Sequence, residues 1–149
     1  MPKSYRRRSY RGSRDKYSVE QSAGALTIPG AQQAYTQVVP DSAIGGMRKV
    51  KHLTVSIATP GAVSLTWAIV YVPQGTTVNP LNMTGGSLYE PNQYVMNCGA
   101  AMAQGGPLRF TSPLSRNLNS GDKIYLIIAN NDGSDRVINY VVRYAITLQ

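Results

Sequence analysis

The chain has 149 residues, a formal net charge of +8, one cysteine and one histidine. That length suits one compact domain, a lone cysteine excludes an internal disulfide framework, and no apolar run is long enough for a membrane-spanning helix. The charge is lopsided: Lys3, Arg6, Arg7, Arg8, Arg11, Arg14 and Lys16 stand against Asp15 alone, a net of +6 in residues 1–16, while the rest of the chain carries only +2. Such a distribution asks for a polyanionic partner, nucleic acid or an acidic membrane surface. The charged start is not followed by the apolar core of a signal peptide, so export is not expected and synthesis in a reducing compartment is.

Residues 1–16 hold Arg, Ser, Gly, Lys and Tyr with almost no aliphatic side chains, too little apolar surface to offset the entropy of ordering. A disordered basic arm is expected, with Arg6, Arg7, Arg8, Arg11, Arg14, Lys3 and Lys16 pairing with phosphates and Tyr5 and Tyr10 stacking on unpaired bases. A solubilising tail or a nuclear-import signal would share this composition.

From Tyr17 onward Val, Ile and Thr total 32 residues and Glu with Lys only 5, a composition that favours strands. Strands are expected at Tyr17 to Ile28 and at Ala34 to Val39. Leu53-Thr54-Val55-Ser56-Ile57 alternates apolar with hydroxylated residues, so one face is buried. Val63 to Tyr71 keeps the same parity, and Pro60-Gly61 between the two runs predicts a hairpin. Tyr94 to Cys98, Leu108 to Thr111 and Lys123 to Ala129 are further candidates. In the last strand Tyr140, Val142, Tyr144, Ile146 and Leu148 line one face while Val141, Arg143, Ala145 and Thr147 line the other. Asp132-Gly133 in the preceding turn suits the positive φ of a tight hairpin. About eight strands in a single domain over residues 17–149 predict an all-β fold, an eight-stranded antiparallel sandwich or jelly roll.

Catalytic and metal chemistry find little support. His52, within the basic segment Arg48-Lys49-Val50-Lys51-His52, has no acidic orienting partner nearby, and with Cys98 it cannot supply four zinc ligands. Cys98 ends a strand that reads as entering the core, so its thiol is expected to be buried. Gly85-Gly86 and Gly105-Gly106-Pro107 do not continue as phosphate-binding loops do, and Trp67 falls on the inward parity as a core anchor. No enzyme, cofactor or metal is expected. Arg48, Lys49 and Lys51 form the other close basic cluster and are the candidate nucleic-acid contacts of the body.

Three segments carry a family resemblance. Trp67-Ala68-Ile69-Val70-Tyr71-Val72-Pro73-Gln74-Gly75-Thr76-Thr77, Ser87-Leu88-Tyr89-Glu90-Pro91-Asn92-Gln93-Tyr94-Val95 and Arg116-Asn117-Leu118-Asn119-Ser120-Gly121-Asp122 resemble the loops of capsid proteins from small circular Rep-encoding single-stranded DNA (CRESS-DNA, circovirus-like) viruses. In purely local terms Pro73 and Pro91 end strands, Gly75 and Gly121 permit sharp turns, and Asn117 and Asn119 can bond nearby backbone. The resemblance implies a jelly roll, a closed icosahedral T=1 shell of 60 identical subunits and a packaged circular single-stranded DNA genome. It also implies a virion protein that passes through the host nucleus by its import machinery and meets a receptor the sequence does not name. The alternative weighed against it is a cellular single-stranded nucleic-acid-binding β-barrel module, which would place its basic and aromatic residues on a strand face.

Overall fold

The structure, a computed structural model, describes residues 17–43, 45–59, 61–78, 94–104, 108–112 and 115–147, with the backbone alone at 94 and 101–104. The expected arm, residues 1–16, and the segment around Pro91 therefore lie outside the described residues.

The described residues form nine strands: β1 (Tyr17–Ile28), β2 (Gln33–Val39), β3 (Arg48–Ala58), β4 (Ala62–Val72), β5 (Tyr94–Gln104), β6 (Leu108–Thr111), β7 (Arg116–Leu118), β8 (Lys123–Asn130) and β9 (Arg136–Thr147). They build two antiparallel sheets. One runs β1-β9-β3-β6 with β7 also on β3, and the other runs β2-β8-β4-β5. Because β6 and β7 pair with successive stretches of β3, they are two halves of one broken strand, and the strand order is that of an eight-stranded jelly roll. The fold expected from the sequence is the fold observed.

Side-chain alternation explains the core. Leu53, Val55 and Ile57 of β3, with Val63, Leu65, Trp67 and Ile69 of β4, turn inward and are buried together with Leu126, Ile128, Ile138 and Val142. Trp67 stacks on Phe110 across the two sheets, with ring centroids 4.4 Å apart and 15° between planes. From Trp67 to Val72 every residue of β4 is buried. Its outward side chains Ala68, Val70 and Val72 join Ile127 in a second apolar cluster against Val78, Val95 and Tyr125.

In β3 the buried positions shift from Val50 to Leu53, breaking strict alternation. The cause is an extra residue in the ladder with β9 between Lys51 and Thr54, where His52 takes φ 55°. This β-bulge flips the parity of the strand so that apolar residues on both sides of it face the core.

Two sequence expectations need correction. The segments around Pro60-Gly61 are not a paired hairpin, because β3 and β4 lie in different sheets. The same holds for β8 and β9, and Gly133 in their connection does not adopt a positive φ. Both connections cross from one layer of the sandwich to the other, which a two-residue hairpin turn cannot do. The β8–β9 turn is held by docking on the β1–β2 loop: Ala31 N–H donates to Asp132 O at 2.8 Å and Gly30 N–H to Asp135 Oδ1 at 2.9 Å.

Candidate nucleic-acid interface

The outer face of the β1-β9-β3-β6 sheet follows from its register. Tyr17, Val19 and Gln21 of β1 lie opposite Thr147, Ala145 and Arg143 of β9. On the other side of β9, Ala145 faces Lys51, Arg143 faces Thr54 and Val141 faces Ser56. Thr54 and Ser56 in turn face Thr111 and Arg109 of β6, and Lys49 faces Asn117 of β7. One face thus gathers Lys49, Lys51, Arg109 and Arg143 among hydroxyl groups. The described carboxylates lie elsewhere: Glu20 has the opposite parity in β1, Asp41 and Asp122 sit in loops, and Asp132 and Asp135 belong to the β8–β9 turn. With no acid interleaved, the positive potentials of the four side chains add.

Of the body residues singled out in the sequence, Lys49 and Lys51 take part in this face. The Lys51 ammonium sits 3.7 Å from the centroid of the Tyr17 ring, so it marks the corner where the N-terminal segment joins the sheet. Arg48 has the inward parity instead, and its guanidinium donates to Pro40 O at 3.2 Å, tying the β2–β3 loop to the sheet. Lys3, Tyr5, Arg6, Arg7, Arg8, Tyr10, Arg11, Arg14 and Lys16 lie outside the described residues. Arg109 and Arg143 were missed as site residues. Their parity was legible, but their neighbourhood depends on β3 lying between β6 and β9, which no local pattern reveals. Between the two arginines is a recess of about 300 Å³ floored by Thr54 and Ser56. Gln21, Thr111 and Val141 complete its lining.

At the loop end nearest Tyr17, two of the three resemblance segments meet. Asp122 is 4% exposed. Its carboxylate accepts from the Tyr71 hydroxyl at 2.6 Å, from Gln74 N–H at 2.9 Å and from Asn119 N–H at 2.9 Å. Burial alone pushes this carboxyl up. The bonds from Tyr71, Gln74 and Asn119 and the nearby Arg116 charge outweigh it and hold the group below the usual aspartate range. Tyr71 moves the other way: burial first, then the adjacent Asp122 carboxylate, push its hydroxyl above the ordinary tyrosine value. The Arg116 guanidinium lies 4.0 Å over the Tyr71 ring. Ser42 brings in a third loop, accepting from Gly121 N–H and from the Ser120 hydroxyl at 3.1 Å each. Asn119 thus acts here through its backbone, and Gly75 and Gly121 take φ 82° and 84° as turn glycines do. This cluster has the chemistry of a structural clasp: every acceptor of the carboxylate is engaged by the fold.

Cys98 is exposed, against the expectation of a buried thiol. The reason is the register of β5 on β4, where Gly99 opposes the inward Trp67 and Cys98 opposes the outward Ala68. A Cβ at Gly99 would sit 3.0 Å from the Trp67 ring, a tight contact that a larger residue could make only if the indole shifted by a few tenths of an ångström. His52 is an exposed bulge residue. Among the described residues no three His, Cys, Asp or Glu side chains gather where they could hold a metal ion.

No protein-family model matches the sequence, and no curated protein sequence matches it. Among solved structures the chain is similar to the Yersinia pseudotuberculosis-derived mitogen, at 15% identity over 87% of this chain and 86% of that one, with a TM-score of 0.39. It is also similar to chains from infectious bursal disease virus. For the Gx strain the identity is 9% over 91% of this chain with a TM-score of 0.44, and for the Gt strain 14% over 90% with 0.40. It spans 32% of the length of each of those virus chains. Likeness at these levels does not choose between a mitogen and a virus particle.

Proposed function

We propose that this chain is a structural protein, not an enzyme: a viral capsid subunit that assembles with copies of itself into a closed icosahedral shell and packages single-stranded DNA. The observation that carries the reading is the placement of charge on the jelly roll. The arginine-rich segment joins the body at Tyr17, on the same sheet face that gathers Lys49, Lys51, Arg109 and Arg143. A polycationic segment and a cationic sheet face on one side of a compact sandwich suit a genome held against the inner wall of a shell. The sequence motifs of circovirus-like capsid proteins support the same reading, and two of them form the Asp122 clasp. A T=1 particle of 60 subunits, assembly in the host nucleus and residence in the virion belong to this proposal. The rival module of the OB type binds on a five-stranded barrel, whereas here the strand order is that of a two-sheet jelly roll.

Negative-stain electron microscopy of the purified full chain, with and without single-stranded DNA, tests the shell. Uniform closed particles are expected, and a protein that stays monomeric across salt and pH overturns the reading. Binding is tested by affinity for oligo-dT against salt. Five or six phosphates neutralised per arm give a log-log slope of roughly −4. Replacing Arg6, Arg7, Arg8, Arg11 and Arg14 by alanine should flatten that slope and empty the particles, whereas Tyr5→Ala with Tyr10→Ala should weaken binding and largely spare the slope.

A further inference from the structure

The recess between Arg109 and Arg143 lies on the cationic face, and its chemistry is divided. Arg109 and Arg143 flank it from strands on either side of β3, displaced by two residues along the sheet, so their Cα atoms lie about 12 Å apart by ordinary strand spacings. Two arginine side chains, each able to span half of that separation, can reach one anion between them. Both are exposed, and neither has an ion-pair partner among the described residues, where the recorded salt bridge is Arg136 with Asp132 at 3.8 Å. Between them Ser56 offers a hydroxyl donor, the Thr54 hydroxyl donates to His52 O at 3.5 Å, and Val141, 39% exposed, offers an apolar patch beside the amide of Gln21.

We propose that this recess is a subsite for one nucleotide of a single-stranded nucleic acid, with the backbone phosphate held between Arg109 and Arg143 and the base laid against Val141 within reach of Gln21. The inference rests on the genome-binding reading above and deepens it by adding a body subsite to the arm. A volume of about 300 Å³ matches a single nucleotide unit. Guanidinium groups match a phosphodiester by paired N–H donors, and the Ser56 hydroxyl adds a further donor. Gln21 lies four residues along β1 from Tyr17, about 14 Å in an extended strand. A strand gathered by the arm therefore meets the recess within a few nucleotides. Base discrimination is weak, because one amide and one aliphatic contact do not read a full base edge.

The test uses the full chain, fluorescence anisotropy with dT20 over a salt series, and direct binding of 5′-phosphorylated dT3. In the R109Q/R143Q variant the dT20 slope should become shallower by about 0.7, the contribution of one phosphate on a single strand, and dT3 affinity should fall about tenfold or more. The arm variant with five alanines should keep its dT3 affinity. R109K/R143K should keep the slope yet lose about threefold or more in dT3 affinity, because an ammonium does not make the paired contact. Inorganic phosphate at matched ionic strength should not displace dT3. Circular dichroism of each variant should match the wild type, since both side chains are exposed. Wild-type slope and dT3 affinity in R109Q/R143Q, alongside a flattened arm variant, would overturn the subsite and leave the shell reading standing. Displacement of dT3 by phosphate alone would overturn it too, because the recess would then take any small anion. Wild-type dT20 binding in the arm and recess variants alike would remove the genome-binding reading itself.

Discussion

The Tyr71 hydroxyl donates to Asp122 Oδ2 at 2.6 Å, joining the end of β4 to the turn before β8 across 51 residues of sequence. Both partners are buried, and their titrations are displaced in opposite directions. The Asp122 carboxyl is held below its unfolded value near 4, so its stabilisation is complete above that pH and is lost as pH falls through the lower folded value. Tyr71 is raised above its unfolded value near 10, so its contribution is complete below that pH and is lost as pH rises through the higher folded value. Asp122→Asn should therefore flatten the acid limb of stability, and Tyr71→Phe should flatten part of the alkaline limb, to which Tyr144, also raised by burial, contributes as well. Asp122→Ala, which strands the buried Tyr71 hydroxyl, should cost about 3 kcal/mol near neutrality. Urea midpoints between pH 2 and 11 check all three, and an Asp122→Asn profile parallel to wild type below pH 4 would count against the clasp.

Gly121 combines two constraints that a double substitution separates. Its φ of 84° disfavours any side chain, and a Cβ there would meet Gln74 Cγ at 2.6 Å. Gly121→Ala should cost about 2 kcal/mol or more. Trimming the exposed Gln74 to alanine in the same chain removes the Cγ and Cδ contacts and keeps Cβ at 3.0 Å, so it should recover much of the steric part and leave about 1 kcal/mol of backbone strain. Thermal denaturation of the two single variants and the double variant measures the coupling, and strict additivity would mean that the contact is not felt.

The bulge at His52 makes a different demand. At φ 55° a β-branched residue is strongly disfavoured while glycine is not. His52→Val should be less stable than His52→Gly by about 1–2 kcal/mol. Deleting His52 should be far worse than either, because removing the extra residue of β3 would turn Val50 out of the core or Leu53 with its followers out instead. Equal stability of the valine and glycine variants would argue for an ordinary strand at this position.

Cys98 should react with a thiol reagent in the native protein, without denaturant, because it lies exposed on the outward face of β5. Cys98→Ser should change stability by no more than about 0.5 kcal/mol, as surface substitutions generally do. A thiol that is protected until the protein unfolds would show that this face is covered, as contact between subunits in an assembled particle would cover it; labelling of the unassembled protein separates that case.

Strand identity was legible from the chain alone because side-chain alternation is a local property with a period of two: β1 and β6 begin and end where composition and parity place them, and the inward set around Leu53, Leu65 and Trp67 follows from the same rule. Partnership between strands is not local. Pro60-Gly61 and Asp132-Gly133 look like hairpin turns in sequence, yet a two-layer sandwich buries both apolar faces only if those connections cross between sheets. Parity at an edge was likewise decided from outside the segment, since the register on β4 sets Gly99 against the Trp67 ring and Cys98 against the outward Ala68. The basic composition of residues 1–16 could be read directly. The cationic face could not, because Arg109 and Arg143 become neighbours only through β3, a strand more than fifty residues earlier than either. Charge along a chain is written in its order, whereas charge on a surface depends on which distant segments share a hydrogen-bonded ladder, and that choice belongs to the free energy of the whole sandwich.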